Sequence, residues 1–304
     1  MMLEHLTTEA HNPASEHLDQ LSTLEVVQLI NQQDALIADA VGQQSSQIAE
    51  AIDVISQRLS IGGRLIYIGA GTSGRLGILD AAECPPTFNS DPKQVLGLIA
   101  GGPTAMTTAV EGAEDRPELG AADLQHIALG ASDVVVGIAS SGRTPYVIGG
   151  LAYARSIGAF AIGLTCNDNS ELLPHCDLVI APVVGAEVLS GSTRMKAGTA
   201  TKMVLNMLST GAMIRQGKTY GNLMVDLRAT NIKLTDRARR IVRAATKVTD
   251  QRASELLREC SGEVKTAIVV HQTGQSPEEA RLLLSEAQGH LREAIMGATR
   301  ECES

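Results

Sequence analysis

Two short segments rich in glycine and hydroxyl side chains could bind an anion. They read GAGTSGR, at 69–75, and ASSGRT, at 139–144. Each lies between an apolar run and a helical pattern and is therefore predicted to be a strand-to-helix turn, where free backbone N–H groups and the helix dipole attract phosphate. Glycines let the backbone approach a ligand closely, and hydroxyls add donors. The predicted phosphate-binding residues are Gly71, Thr72, Ser73, Ser140, Ser141, Gly142 and Thr144.

The first segment also matches the dinucleotide-binding pattern through Gly69, Gly71 and Gly74. That pattern calls for an acidic residue at the end of the next strand, about 20 residues on. Here the next strand ends IAGGPT, at 99–104, without one. The sequence therefore disfavours NAD or FAD, and no cofactor is predicted. Two related turns in one sheet favour a single bound phosphate over turns that are purely structural.

Two glutamates, Glu83 and Glu114, are candidates for proton transfer. Glu83 stands in DAAECPP, where Pro85 and Pro86 are predicted to end a helix. A carboxyl shielded at such a helix end can have its pKa raised towards about 6 or 7, which suits a general acid or base. Glu114 stands in VEGAED. A solvated helix face is the structural alternative for either residue.

A third polar segment, GAEVLSGSTRMKAGT at 185–199, opens a long helical pattern. Glu187, Ser192 and Lys196 are predicted to meet sugar hydroxyls or an anionic substituent, with a surface ion pair as the alternative for the two charged residues. The seven histidines show no metal-ligand spacing such as HExxH, so no metal is predicted.

The elements that must position these residues are visible as apolar runs. Five short runs are apolar throughout and bounded by glycine, serine or proline, which predicts an α/β fold with a parallel sheet covered on both faces. The runs are RLIYI, VLGLIA, DVVVGIA, AFAIGLT and DLVIAPV, beginning at 64, 95, 133, 159 and 177.

Helical patterns flank the predicted sheet. Two helices are predicted between Thr23 and Leu59, and one long helix with a methionine-rich apolar face is predicted over 193–214. The predicted domains are a polar N-terminal arm at 1–22, an α/β domain with flanking helices at 23–234, and a small helical C-terminal subdomain at 235–304.

Composition excludes several classes of partner. The 304 residues carry a net charge of −9 and 2% aromatic residues, so no nucleic-acid partner is predicted. The five cysteines form no CxxC pair, and the N-terminus lacks a signal-peptide pattern. No apolar run approaches the roughly 18 residues of a membrane helix. We therefore expect a cytoplasmic protein without a membrane partner.

The two glycine-rich loops resemble the sugar isomerase (SIS) domain of phosphosugar enzymes and regulators. More closely, the chain is similar to the N-acetylmuramic acid 6-phosphate etherase family from about Thr7 to the C-terminal helices. The resemblance implies a flavodoxin-like, three-layer SIS domain, a phosphosugar substrate and a homodimer. The segments that carry it are GAGTSGRLGILDAAECPPT, VEGAED, GIASSGRTPYV, GAEVLSGSTRMKAGTATK and GNLMVDLRATN.

The resemblance also implies a reaction. In it, D-lactate leaves C3 of N-acetylmuramic acid 6-phosphate and N-acetylglucosamine 6-phosphate remains, a step in cell-wall sugar recycling. Glu83 would protonate the departing lactate oxygen and then activate water, and Glu114 would be the second catalytic residue, most simply the base at C2. Two alternatives stay open. An SIS aldose-ketose isomerase needs a base at C2 but no acid at C3, and a non-catalytic sugar-phosphate-binding regulator would resemble the related glucokinase regulatory protein.

Overall fold

The computed structural model describes residues 7–8, 10–227 and 232–301. Part of the predicted arm and the last four residues of the GNLMVDLRATN segment lie outside the described residues. The chain forms two compact units. The sheet unit comprises Met1–Ala82 and Pro92–Ser209, and the helical unit comprises Glu83–Asp91 and Thr210–Ser304. The domain boundaries drawn from the sequence stay a prediction.

A five-stranded parallel sheet forms the centre of the sheet unit. Its strands are β1 (Leu65–Gly69), β2 (Val95–Ile99), β3 (Val134–Ile138), β4 (Phe160–Leu164) and β5 (Leu178–Ile180). They lie in the order β2-β1-β3-β4-β5, which is the flavodoxin-like order. Every residue of β1 and β3 is buried, as expected for central strands covered on both faces. The predicted α/β class and the five predicted strands are confirmed.

Seven helices in the described part of the chain begin in the sheet unit. They are α1 (Thr23–Asp34), α2 (Ile37–Gly42), α3 (Ser45–Ser60), α4 (Gly71–Phe88), α5 (Pro117–His126), α6 (Pro145–Ser156) and α7 (Lys196–Arg215). On one face of the sheet, Ile66 and Val135 share a buried cluster with Leu124 of α5 and Leu151 of α6. On the other face, the Tyr67 hydroxyl donates to Asp80 of α4 at 2.9 Å. The sheet unit therefore has three layers.

Two helix predictions differ from the structure. Three helices, not two, occupy the segment from Thr23 to Ser60, because a short helix ends at Gly42, a residue of low helix propensity. The helix containing Glu83 does not stop at the prolines.

Helix α4 runs through Pro85 and Pro86 to Phe88. A proline loses its own N–H, but its carbonyl can still accept: Asn89 N donates to Pro85 O at 2.9 Å and closes the final turn. The chain leaves the helix at Asn89, whose φ of 50° is a left-handed conformation that asparagine tolerates.

The helical unit has a two-stranded antiparallel hairpin and a helical cluster. Its elements are β6 (Thr219–Tyr220), β7 (Leu223–Met224), α8 (Ile232–Thr246), α9 (Asp250–Glu259), α10 (Val264–Thr273), α11 (Pro277–Glu286) and α12 (Leu291–Glu301). Helix α11 begins with a reciprocal cap in which Glu279 N donates to Ser276 Oγ and Ser276 N donates to Glu279 Oε2. The helical C-terminal pattern is thus confirmed as helix. Within the described residues, every helix is too short or too polar to cross a bilayer.

Candidate functional site

The two glycine-rich loops lie side by side at the carboxyl edge of the sheet. The first connects β1 to α4, the second connects β3 to α6, and β1 pairs directly with β3. This is the point at which the strand order reverses, where open α/β sheets bind their ligands. The two turns that the sequence assigns to one sheet are therefore neighbours, and their binding of a single phosphate stays a prediction.

The first loop depends on a close approach between strand and helix. A Cβ added to Gly69 would lie 2.7 Å from the backbone nitrogen of Gly74, so only glycine fits there. Gly71 opens α4 with a φ of 51°, and Thr72 and Ser73 lie half-buried in the first helical turn. Their hydroxyls and the free N–H groups of that turn provide the donors that a phosphate needs.

The second loop is held from behind by polar contacts. Gly142, with a φ of 72°, accepts a hydrogen bond from Ser170 Oγ at 3.0 Å, and a Cβ added to Gly142 would overlap that same hydroxyl. The Ser140 carbonyl accepts from Asn167 Nδ2 at 2.9 Å. Ser141 and Thr144 remain half-buried at the front of the loop.

Helix α6 starts from the second loop. Thr144 is its N-cap residue, and the Thr144 side chain makes no capping hydrogen bond. The Ser141 hydroxyl accepts only a long contact, 3.4 Å, from Arg143 N. These two hydroxyls are therefore well placed to donate to an anion at the N-terminus of α6.

The described part of the N-terminal arm packs along the same edge. Thr7 Oγ1 donates to Asn167 Oδ1 at 2.7 Å, and Asn167 Nδ2 also donates to Thr8 Oγ1 at 3.2 Å. Further along the arm, Asn12 Nδ2 donates to the carbonyl of Ala186 at 3.3 Å. The arm thus supports the loops from the side of β4 and of the segment before α7.

The third polar segment builds the start of α7. The Glu187 carboxylate accepts from the backbone N–H groups of Lys196 and Ala197, at 2.9 and 3.0 Å, and Glu187 is fully buried. A negative charge at a helix N-terminus is stabilising. We therefore assign Glu187 a role in positioning α7, while a contact of Glu187 with substrate stays a prediction.

Lys196 is also buried, at 2% exposure. Its Nζ donates to the Ala186 carbonyl at 3.0 Å and to Gln33 Oε1 at 3.3 Å. Burial lowers the pKa of Lys196, and the nearby Glu187 carboxylate opposes that effect. Ser192 lies half-buried in the turn before the helix. A Cβ on Gly198 would lie 3.6 Å from Thr72 Cγ2, so the first turn of α7 adjoins the first loop.

A cavity of about 200 Å³ connects the first loop with Glu114. Gly71 and Arg75 line it from α4, and Glu111 and Glu114 line it from the segment that precedes α5. The Glu114 side chain is exposed, and its carbonyl accepts from Tyr146 N at 3.0 Å, which fixes the backbone there. The structure thus brings one of the two predicted glutamates to the first loop.

Glu83 lies further along α4, in the segment that belongs to the helical unit. Its side chain is exposed. The shielding predicted for it is wrong, because the helix continues past Pro85 and Pro86 and leaves the carboxyl on an open helix face. Its catalytic role stays a prediction.

Sequence reasoning gave no role to Arg75, although it stands in the GAGTSGR segment. Its position one helical turn after Gly71 was the available signal, since residues four apart share a helix face. Among the described residues, no group of three or more His, Cys, Asp or Glu side chains could hold a metal ion.

Comparisons with known proteins agree with this architecture. The family model for the SIS domain matches residues 117–211, and that for the glucokinase regulatory protein N-terminal SIS domain matches 47–155. The chain is 64% identical over 289 residues to the N-acetylmuramic acid 6-phosphate etherase of Rhodopirellula baltica, covering 95% of this chain and 96% of the relative. It is 56% identical to N-acetylmuramic acid 6-phosphate etherase 1 of Vibrio cholerae, covering 96% of this chain and 98% of that relative.

Solved structures include more distant neighbours. A phosphoheptose isomerase from Francisella tularensis is 16% identical, with a TM-score of 0.47, covering 64% of this chain and all of that chain.

Proposed function

Because the chain belongs to the N-acetylmuramic acid 6-phosphate etherase family, we propose that it cleaves the C3 lactyl ether of N-acetylmuramic acid 6-phosphate. D-lactate is eliminated, water adds to the resulting alkene, and N-acetylglucosamine 6-phosphate is formed. The enzyme is a carbon–oxygen lyase that acts in cell-wall sugar recycling. The observation that carries the proposal is the cavity that Glu114 lines together with Gly71 of the first loop.

The chemistry needs two proton-transfer groups. Once the pyranose opens, the aldehyde at C1 acidifies the C2 proton, and Glu114 removes that proton as a general base. Glu83 donates a proton to the ether oxygen as the C3–O bond breaks, so that lactate leaves as an alcohol. The Glu83 carboxylate then takes a proton from water as that water adds at C3, and Glu114, whose proton exchanges with solvent, returns a proton to C2. Atoms and charges balance by proton transfer alone, so this function calls for no cofactor or metal.

The phosphate of the substrate is bound where the two loops meet. Thr72 and Ser73 donate from the first turn of α4, and Ser140, Ser141 and Thr144 donate from the second loop. Each donor to a charged oxygen contributes on the order of 1.5 to 3 kcal/mol, so three or four of them hold a phosphate without a metal. Gly71 and Gly142 let the backbone approach it.

The remaining parts of the proposal concern partners and location. The protein is a cytoplasmic homodimer whose small-molecule partner is the phosphosugar. Its net charge of −9 works against nucleic-acid binding.

Release of lactate from N-acetylmuramic acid 6-phosphate by the pure protein tests this function. We expect stoichiometric D-lactate and N-acetylglucosamine 6-phosphate, with the unphosphorylated sugar a poor substrate. An aldose-ketose isomerase would release no lactate but would convert an aldose phosphate into a ketose phosphate. A regulator would bind the phosphosugar without turnover. Either of those two results would overturn the proposal.

A further inference from the structure

We propose that Arg75 binds the carboxylate of the lactyl group and so selects substrates that carry one. The inference rests on the proposed function and adds a specificity-determining residue to it. Arg75 lies on α4, one turn after Gly71, and lines the cavity that also contains Glu114.

Among the described residues, the Arg75 guanidinium makes one hydrogen bond, through Nε, and none through its two terminal nitrogens. Its Nε donates to the Met106 carbonyl at 3.1 Å, which orients the guanidinium. Among the side chains that the structure describes, no carboxylate lies within 4.0 Å of that guanidinium. The residue is half-buried. A partly buried arginine whose terminal nitrogens have no protein partner is ready to bind an anion.

The charges in the cavity show why an anionic substrate would need this residue. Glu111 and Glu114 both line the cavity, and their negative charges repel a carboxylate. Among the residues lining the cavity, all of them described, Arg75 is the one cation. It offsets that repulsion, and its planar fork matches a carboxylate with two parallel hydrogen bonds.

The proposed role of Glu114 as the base at C2 would bring the lactyl group near Arg75. In the substrate, the lactyl ether is attached at C3, which is bonded to C2. The ether oxygen is two bonds from C2. If Glu114 takes the C2 proton, the ether substituent therefore lies close to the Glu114 carboxylate. The phosphate is at the far end of the sugar, on C6, and occupies the hydroxyl-rich loops. The second anionic group of the substrate therefore falls in the cavity that Arg75 shares with Glu114.

A substrate pair tests this assignment. One member is N-acetylmuramic acid 6-phosphate, and the other is its lactamide, in which a primary amide replaces the carboxylate. The parent protein should prefer the acid by about 10²-fold in kcat/KM, the range of one good charge-assisted contact. Arg75→Gln should lower kcat/KM for the acid by a similar factor and change that for the amide by less than about threefold, so the preference disappears.

Two further variants make the test decisive. Arg116→Gln is the matched control, because Arg116 is exposed, pairs with Glu118 and is not among the cavity-lining residues. It should keep the full preference for the acid. Arg75→Lys keeps the charge but loses the fork, so its preference should fall to about a tenth of the parent value. It supplies the same comparison if Arg75→Gln does not fold.

The outcomes separate this inference from the proposed function. Suppose that Arg75→Gln, or Arg75→Lys in its place, lowers kcat/KM equally for the acid and the amide. Arg75 then acts only through its hydrogen bond to the Met106 carbonyl, and the inference is wrong. If the parent releases no lactate from the acid, the proposed function fails first. Lactate release by the parent with an unchanged acid-to-amide preference in the Arg75 variants overturns the inference alone.

Discussion

The hydroxyls of the second loop stand at the front of a turn whose backbone is fixed from behind. Ser170 and Asn167 hold the carbonyls of Gly142 and Ser140, so removing the hydroxyl of Ser141 or Thr144 should leave the loop in place. The side chains at the front can therefore be tested for phosphate binding without disturbing the fold.

We expect Ser141→Ala and Thr144→Ala each to raise KM for the phosphosugar about tenfold, because each removes one donor to a charged oxygen. Initial rates of lactate release measure this. Ser156→Ala is the matched control, since the Ser156 hydroxyl donates to the Tyr153 carbonyl at the other end of α6. Equal turnover of the phosphorylated and unphosphorylated sugars by the parent protein would show that the loops do not bind phosphate.

The two glutamates should differ in which proton they move. Glu83→Gln should slow lactate release by about 10³-fold, because an amide cannot protonate the leaving oxygen, yet it should still exchange the C2 proton of the substrate. Glu114→Gln should lose both lactate release and exchange of the C2 proton. Proton NMR of the substrate in deuterium oxide measures the exchange. Glu118→Gln, an exposed glutamate paired with Arg116, is the control. The opposite exchange pattern in the two variants would swap their roles.

At the scale of elements, Asp133 joins the residues that precede β1 and β3, the two strands that lead into the site. Its carboxylate accepts from Arg64 N at 2.8 Å and from Gly130 N at 2.9 Å, and pairs with the Arg64 guanidinium at 2.6 Å. Burial alone would raise the pKa of Asp133, but the hydrogen bonds from Arg64 and Gly130 outweigh it and hold the pKa below its ordinary value.

This lowered pKa predicts acid sensitivity. Because the folded pKa lies below the unfolded value of about 3.9, the stabilisation is complete above that pH and is lost as pH falls through the folded pKa. Asp133→Asn should reduce the free energy of unfolding by about 2 kcal/mol at pH 7 and flatten its fall below pH 4. Urea unfolding at several pH values measures both. The exposed Asp39 offers the control variant Asp39→Asn, and an equally steep acid profile for Asp133→Asn would contradict the assignment.

The strands could be predicted from sequence and parts of the site could not. Central parallel strands are buried on both faces, so each needs an uninterrupted apolar run that stands out in the chain. The end of α4 is different, because the effect of Pro85 depends on whether a later N–H can still reach its carbonyl, and Asn89 does. The burial of Glu187 depends on the path of the chain before α7, and the Arg75 cavity depends on how the segment before α5 folds back. No local pattern encodes either.

At the scale of the whole molecule, the exposed apolar side chains of α1 indicate a surface that binds a partner. No residue of α1 is buried in the single chain, and Leu24 and Val27 are 65% and 58% exposed. Exposed apolar side chains on one helix favour a partner surface. Met207 and Ile214 on the methionine-rich α7 are exposed as well. Both helices therefore support the proposed homodimer.

We expect the parent protein to sediment as a dimer and the double variant Leu24→Glu/Val27→Glu to sediment as a monomer. Burying each of these side chains would contribute about 1.5 to 3 kcal/mol to association, and a carboxylate there would instead have to be desolvated. Leu282→Glu, an equally exposed leucine of the helical unit, should leave the dimer intact. A monomeric parent would contradict the proposed assembly, and a dimeric double variant would remove α1 from its interface.

Isotope incorporation by the parent enzyme tests the central claim most directly. With N-acetylmuramic acid 6-phosphate in deuterium oxide enriched in 18-oxygen, elimination followed by addition places deuterium at C2 and 18-oxygen at C3 of N-acetylglucosamine 6-phosphate. The released D-lactate keeps its own oxygen, because the C3–O bond is the one that breaks. Mass spectrometry of both products reads this in one reaction. Product without deuterium at C2, together with 18-oxygen in lactate, would contradict the elimination chemistry assigned to Glu83 and Glu114.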